Sequence, residues 1–116
     1  MNPKARFIFI ASMDVDADKE ALFDEVYDTE HIPALLRVPG VLSCTRTVLE
    51  PLVLSIGGEL KTIAMEGEPR HSAIYELESA DVLTSAAWAN AVEQGRWPSE
   101  VRPWTRNRRH MLRRLR

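Results

Sequence analysis

Residues 27–33 read Tyr-Asp-Thr-Glu-His-Ile-Pro, which places a phenol, two carboxylates and an imidazole within five positions and a proline just after them. Proline disfavours helical geometry at the residue before it and has no backbone N–H to donate. The helix that leads into this stretch is therefore expected to kink or restart at Pro33. A cluster of these side chains can carry out acid–base chemistry without a cofactor.

The residues before this stretch form an amphipathic pattern. Apolar side chains recur every three or four positions over residues 22–27, which predicts a helix over about residues 17–31. Phe23, Tyr27 and His31 are four residues apart, so they are expected to share the side that faces the core. Glu30 points about 100° away from His31 on a regular helix and is expected at the rim.

The remaining sequence predicts four strands, a hairpin and a second helix. The strands fall at about residues 6–13, 41–49, 70–78 and 105–115, the last with a helical ending as an alternative. The hairpin spans about 52–65 around a Gly57-Gly58 turn, and the second helix spans 80–94 with Ser79 as its N-cap. Residues 96–103, which contain Trp97-Pro98 and end at the Pro103-Trp104 pair, read as a loop. This order predicts one α+β domain over residues 1–116, with a ferredoxin-like split βαβ topology.

Such a protomer has an antiparallel sheet with two helices on one face. The first strand, however, is apolar on both faces, with Phe7 and Phe9 on one and Ile8 and Ile10 on the other. We therefore predict a homodimer through the uncovered sheet face. A two-stranded hairpin is marginally stable alone, so the hairpin is expected to pack on the body or on another subunit.

Composition excludes several classes of protein. The 116 residues are 45% hydrophobic and 28% charged, which is ordinary for a soluble domain, and no apolar run approaches the ~20 residues of a membrane span. The apolar run at residues 7–11 is short and lacks a small-residue cleavage site, which favours a strand over a signal peptide. The single cysteine, Cys44, excludes an internal disulfide and fits a reducing cytoplasm. No spacing of histidines and cysteines indicates a metal site.

The charge is distributed unevenly along the chain. Residues 1–95 carry seven basic and 16 acidic side chains, whereas residues 96–116 carry eight arginines and one glutamate. A basic tail can bind nucleic acid or anionic lipid. The acidic body is nevertheless expected to attract this tail, or that of a partner subunit. We therefore predict neither a nucleic-acid nor a membrane partner.

The stretch at 27–33, followed by Leu35-Leu36, Val38-Pro39-Gly40 and Val41, resembles the EthD-like branch of the dimeric α/β-barrel superfamily. The hairpin and the arginine-rich ending are departures from that compact pattern. The resemblance implies a ferredoxin-like protomer, a bacterial-type homodimer with a central barrel, and a small-molecule pocket between each sheet and its helices. The wider superfamily includes cofactor-free cyclases and monooxygenases, isomerases and haem-degrading enzymes, and the fold does not choose among them.

His31 is the first catalytic candidate, since imidazole can act as a base or an acid near neutral pH. Asp28 is expected to orient the ring or to raise its pKa, and Tyr27 to donate a hydrogen bond to a substrate carbonyl or enolate. Each has a structural alternative. His31 could bond to free carbonyls at the helix end, and Tyr27 could be a core residue with its hydroxyl at the rim. Asp28 could lie on a solvated helix face or pair with Arg37 or the basic tail.

Five further residues are predicted to line the substrate pocket: Phe23, His71, Tyr75, Trp88 and His110. His71 and Tyr75 lie on one strand face and would belong to the barrel interface if that face turned away from the helices. Trp97 and Trp104 are either ligand contacts or loop anchors. Cys44 is expected to be a small buried hydrophobe, since a nucleophile needs a nearby base.

The first functional hypothesis is a cofactor-independent cyclase, isomerase, dehydratase or lyase that acts on a small apolar, aromatic or polyketide-like carbonyl compound. It has two alternatives. One is a non-catalytic ligand-binding or assembly protein, in which the hairpin and the tail matter most. The other is a cofactor-free monooxygenase acting on an electron-rich phenol.

Overall fold

The computed structural model describes all 116 residues. Its strands are β1 (Phe7–Val15), β2 (Val41–Val48), β3 (Leu52–Ile56), β4 (Glu59–Ile63), β5 (His71–Leu77) and β6 (Thr105–Arg114). Its α-helices are α1 (Glu20–Val26), α2 (Ile32–Leu36) and α3 (Ala86–Ala91). Shorter helical turns are Ala17–Lys19, Tyr27–His31, Ala80–Thr84, Trp97–Val101 and Arg102–Trp104. None of the helices is long and apolar enough to cross a membrane.

The main sheet is antiparallel and has the order β2-β5-β1-β6. The predicted α+β, ferredoxin-like class is confirmed, and so is the separate hairpin, which forms a two-stranded sheet of β3 and β4. The last segment is a strand, because its pairing with β1 runs from Phe7 opposite Arg114 to Val15 opposite Thr105.

One face of the sheet packs against the helices. On β5, His71, Ala73, Tyr75 and Leu77 are buried, while the residues between them are half-buried. Phe23, Val26 and Leu35 on the helices are almost completely buried against this face. Alternation along the strands thus separates a core face from an open face.

Two helical predictions need correction. The predicted helix over 80–94 is a 3₁₀ turn capped by Ser79, followed by α3, which Ser85 caps by accepting a hydrogen bond from the Trp88 N–H at 3.1 Å. Ser85 ends the first turn because its backbone is extended (ψ 154°), so the helix must restart. The predicted loop over 96–103 forms two helical turns, Trp97–Val101 and Arg102–Trp104, with prolines in their first positions, where no hydrogen-bond donor is needed.

Gly40 links α2 to β2 in a left-handed conformation (φ +91°), and a Cβ atom there would collide with the Val82 side chain. We expect Gly40→Ala to lower the free energy of unfolding by roughly 2–4 kcal/mol, since the left-handed backbone and the overpacking each contribute about 1–2 kcal/mol. Urea unfolding measures this loss. The matched control is Gly58→Ala, which has the same sign of φ (+83°) and no atom within 4 Å. An equal loss in both variants would contradict the proposed collision with Val82.

Candidate functional site

The helix that carries the candidate residues contains a wide π turn at Tyr27–His31. The Ile32 N–H donates to the Tyr27 carbonyl, five residues earlier. Pro33, which cannot donate, then occupies the first turn of α2. The predicted restart at Pro33 is thus confirmed, and it is made by widening the helix rather than by a sharp break. Wide turns of this kind occur often at functional sites.

A cavity of about 190 Å³ lies between this turn, the sheet and the C-terminal segment. Five of the predicted site residues line it: Tyr27, His31, Tyr75, Trp88 and His110. Apolar side chains make up most of the remaining wall: Phe9, Ala11, Met13, Leu35, Val92 and Trp97. The lining is completed by two arginines, Arg102 and Arg108.

His31 is buried, with 6% of its surface exposed, and makes no side-chain hydrogen bond; its Nδ1 atom is fully enclosed without a partner. Its ring stacks on Trp97 with centroids 4.2 Å apart and an interplanar angle of 20°, and it meets the Tyr27 ring edge-on at 5.1 Å. Burial, with a smaller contribution from the Arg102 charge, lowers the pKa of His31 to about 4. The imidazole is therefore neutral at pH 7 and available as a proton acceptor.

Tyr27 and Tyr75 in the cavity wall form a second polar group with Cys44, which does not itself line the cavity. The Tyr27 and Tyr75 hydroxyls interact with each other, and the Cys44 thiol interacts with Tyr75. Burial raises the pKa of Tyr27 to about 12 and that of Tyr75 still further, so both phenols stay protonated and can donate hydrogen bonds. Burial also raises the pKa of Cys44 to about 11, which keeps it a thiol and argues against a nucleophile.

The structure does not bring Asp28 to His31, which corrects the expectation that this carboxylate orients the ring. The Arg46 side chain on β2 donates to Asp28 at 2.9 Å and to Asp24 at 2.7 Å. Its guanidinium also lies 4.8 Å from the centre of the Tyr27 ring. Asp28 thus forms an ion pair, but with Arg46 and not with Arg37 or the basic tail, and Trp97 holds the His31 ring instead.

Phe23 and His71 also lie outside the main cavity. Their rings pack together with centroids 4.7 Å apart, and the His71 Nε2 atom lies 3.1 Å from a carboxylate oxygen of Glu20. Both border a smaller, filled recess beside Arg46. The sheet face that carries His71 turns toward the helices, as expected for a pocket residue. The Glu20 and Arg46 side chains, however, occupy the space there.

Eight of the thirteen lining residues were not among the predicted pocket residues, and three of these carry a charge or an indole: Arg102, Arg108 and Trp97, the last being weighed only as one of several tryptophans. The sequence contained a pattern that could have placed Arg108 in the pocket, since it lies two residues before His110 on the last strand and so on the same strand face. Trp104, the other indole considered, is 43% exposed and lies under the Lys19 ammonium, 5.0 Å from the ring centre. It therefore anchors the surface and does not line the cavity.

The fold and the cavity together define a ferredoxin-like α+β protein with a mostly apolar cavity between its sheet and its helices. No protein-family model and no curated protein matches the sequence. An ethyl tert-butyl ether D (EthD) family protein from Bacillus halodurans C-125 has a similar structure, with a TM-score of 0.57, 14% identity and coverage of 95% of this chain and 99% of that chain.

Two structures of the haem degrader MhuD are also similar. MhuD from Mycobacterium tuberculosis with two haems in its active site has a TM-score of 0.55 and 18% identity, and the match covers 94% of each chain. A MhuD mutant with two manganese protoporphyrin IX molecules per active site has a TM-score of 0.55 and 17% identity, covering 91% of this chain and 90% of that chain. The resemblance of the fold to EthD-like proteins is thus confirmed.

His31 should make stability depend on pH. Its pKa falls from an ordinary 6.5 to about 4 on folding, so between these values the unfolded chain binds a proton that the folded protein does not. The stability that His31 contributes is therefore complete above pH 6.5 and is lost as the pH falls toward 4, by up to about 3 kcal/mol. We expect His31→Phe, which retains a ring against Trp97, to lose this part of the pH dependence. Urea unfolding of both proteins at about pH 7.5 and about pH 4.5 measures it, and parallel losses in the two would contradict the burial of a neutral imidazole.

Proposed function

We propose that this chain is a cofactor-independent acid–base enzyme that acts on a small apolar carbonyl compound of aromatic or polyketide-like character. The observation that carries the proposal is the neutral, unbonded His31 imidazole beside two protonated tyrosines in an apolar cavity. Cyclisation, isomerisation, dehydration and lyase reactions of carbonyl compounds share one step, the removal of a proton next to the carbonyl. This step is the one that we assign to the cavity.

In this mechanism His31 accepts the proton, and Tyr27 or Tyr75 donates a hydrogen bond to the carbonyl oxygen as it becomes an enolate. An imidazole with a pKa of about 4 is a weak base in the empty cavity. Its basicity rises during the reaction because the enolate charge forms nearby and favours the imidazolium. Trp97, stacked on the ring, fixes its orientation.

Haem, which one of the two MhuD structures contains, does not suit this cavity. Its volume of about 190 Å³ is below the ~300–1,000 Å³ of drug-sized ligand pockets and far too small for a porphyrin. The cavity therefore favours a compact organic substrate, and no step of the proposed reaction passes through haem.

The proton transfer can be tested without the natural substrate. We expect the protein to accelerate hydrogen–deuterium exchange at the α-carbon of 2-indanone in D₂O, followed by NMR, and His31→Gln to slow the catalysed exchange by about 10²–10⁴-fold. The matched control is His71→Gln, which changes the other buried histidine, outside the cavity. Absence of catalysed exchange in the parent protein, or an undiminished rate in His31→Gln, would refute the proposal.

A homodimer is the second part of the proposal, since the open sheet face and the hairpin are both left without cover. Ile74, Ile10 and Met111 are cross-strand neighbours on the open face and form a continuous apolar row. On the hairpin, five large apolar side chains are each more than a third exposed: Leu52, Val53, Leu54, Ile56 and Leu60. The radius of gyration of 15.9 Å exceeds the roughly 13 Å of a compact chain of this length, which fits a projecting arm.

A second copy of the chain would cover these surfaces. Two open sheet faces brought together would bury the apolar row of each copy in one contact. We expect the protein to be a dimer by light scattering at micromolar concentration and Ile10→Glu to be a monomer, since the change puts a charge in the centre of the interface. Leu36→Glu is the control, an equally apolar side chain that is 43% exposed on the helical layer. A parent protein that is monomeric under these conditions would disprove the dimer.

A further inference from the structure

Arg108 is a cation at the cavity without an anionic partner. Its Nε atom donates to the Thr105 hydroxyl at 3.0 Å, and its Nη2 atom donates to the same hydroxyl at 2.7 Å and to the Arg102 carbonyl at 3.0 Å. These acceptors are neutral oxygens, so they fix the direction of the guanidinium, which is exposed to solvent and has no ion-pair partner within the chain. Its remaining nitrogen, Nη1, has no partner within the chain.

Most of the other arginines after residue 95 form ion pairs, unlike Arg108. Four of the eight arginines after residue 95 pair with carboxylates of the acidic body: Arg96, Arg102, Arg106 and Arg109. Arg102, the other arginine in the cavity wall, is held by Glu93 at 2.9 Å. The three that remain besides Arg108, at positions 113, 114 and 116, do not line the cavity. Arg108 alone combines a free charge with a place in the cavity wall.

The backbone at Arg108 is built to aim this side chain. A β-bulge opposes residues 107 and 108 of β6 to the single residue Met13 of β1. Asn107 adopts a left-handed conformation (φ 52°), and its amide donates to Asp14 at 3.0 Å and to the Gly67 carbonyl at 2.9 Å. Bulges of this kind redirect a side chain and are common near active sites. Here the bulge places Arg108 on the cavity side, with His110 two residues further along.

We propose that the ligand of this cavity carries an anionic group, a carboxylate in the simplest case, and that Arg108 binds it at the open side of the cavity along β6. The apolar part of the ligand then lies among Phe9, Trp88 and Trp97, and its reacting carbon faces His31. This assignment rests on the proposed function and narrows its substrate class from a neutral carbonyl compound to an aromatic or polyketide-like acid. Arginine suits the role because its planar fork matches a carboxylate.

The test compares 1-naphthoate with 1-naphthamide, which has the same ring system and similar shape without the charge. Isothermal titration calorimetry of the full chain is expected to give at least about tenfold tighter binding of the acid, since charge-assisted hydrogen bonds exceed neutral ones. Arg108→Gln should remove this preference and leave the affinity for the amide unchanged. Arg116→Gln removes one equally unpaired positive charge away from the cavity and should change neither affinity.

Equal affinities of the unmodified protein for acid and amide would overturn the anionic-ligand assignment and leave the apolar pocket in place. The assignment to Arg108 would also be wrong if Arg116→Gln weakened binding of the acid as much as Arg108→Gln does, since the effect would then come from net charge. If neither compound binds the unmodified protein, the proposed pocket fails together with this inference. The comparison on the unmodified protein decides the question even if Arg108→Gln does not fold.

Discussion

The candidate site depends on the contact between the C-terminal segment and the π turn of the helix. Trp97 stacks on His31, and just before it the Arg96 backbone N–H and Nε atom donate to the Glu30 carboxylate at 2.9 and 2.6 Å. Glu30 thus ties the helix to the C-terminal segment through Arg96. The charge-assisted bonds hold the indole in place, and the indole encloses the imidazole.

This contact sets the chemistry of the cavity as well as its shape. Without Trp97 the imidazole would be open to water, and burial would no longer lower its pKa. The same segment continues into Arg102, which anchors to Glu93 and to the Val92 carbonyl. It then enters β6, from which Arg108 and His110 reach the wall. The C-terminal residues therefore supply the lid over His31 and also the cationic side of the cavity.

Local patterns predicted the fold well. The strands lie within about two residues of their predicted bounds, because alternation and turn residues are properties of neighbouring positions. The helical spacing of Phe23, Tyr27 and His31 also predicted correctly that all three would be buried. The helix over 80–94 was less accurate, since Ser85 can either continue a helix or cap a new one, and its extended backbone decides between these options.

The site was harder to predict because it is made by contacts distant in sequence. Asp28 is close to His31 along the helix, but Arg46 on a neighbouring strand provides the stronger electrostatic partner. His71 lies on the strand face that turns toward the helices, as predicted for a pocket residue, yet Glu20 closes the space around it. Arg108 shares the parity of His110, but its direction depends on a bulge stabilised by Asn107, Asp14 and Gly67, which no local pattern predicts.

His31 and Arg108, the two functional groups of the proposed site, are coupled by electrostatics. The cavity wall has a neutral imidazole and an unpaired guanidinium, so it is positive overall, and the Arg102 charge further lowers the basicity of His31. A bound carboxylate would neutralise Arg108 and place a negative charge in the cavity that His31 lines, which favours the protonated imidazole. Substrate binding would therefore strengthen the base that acts on the substrate. A neutral compound of the same shape could fill the cavity but would leave His31 a weaker base.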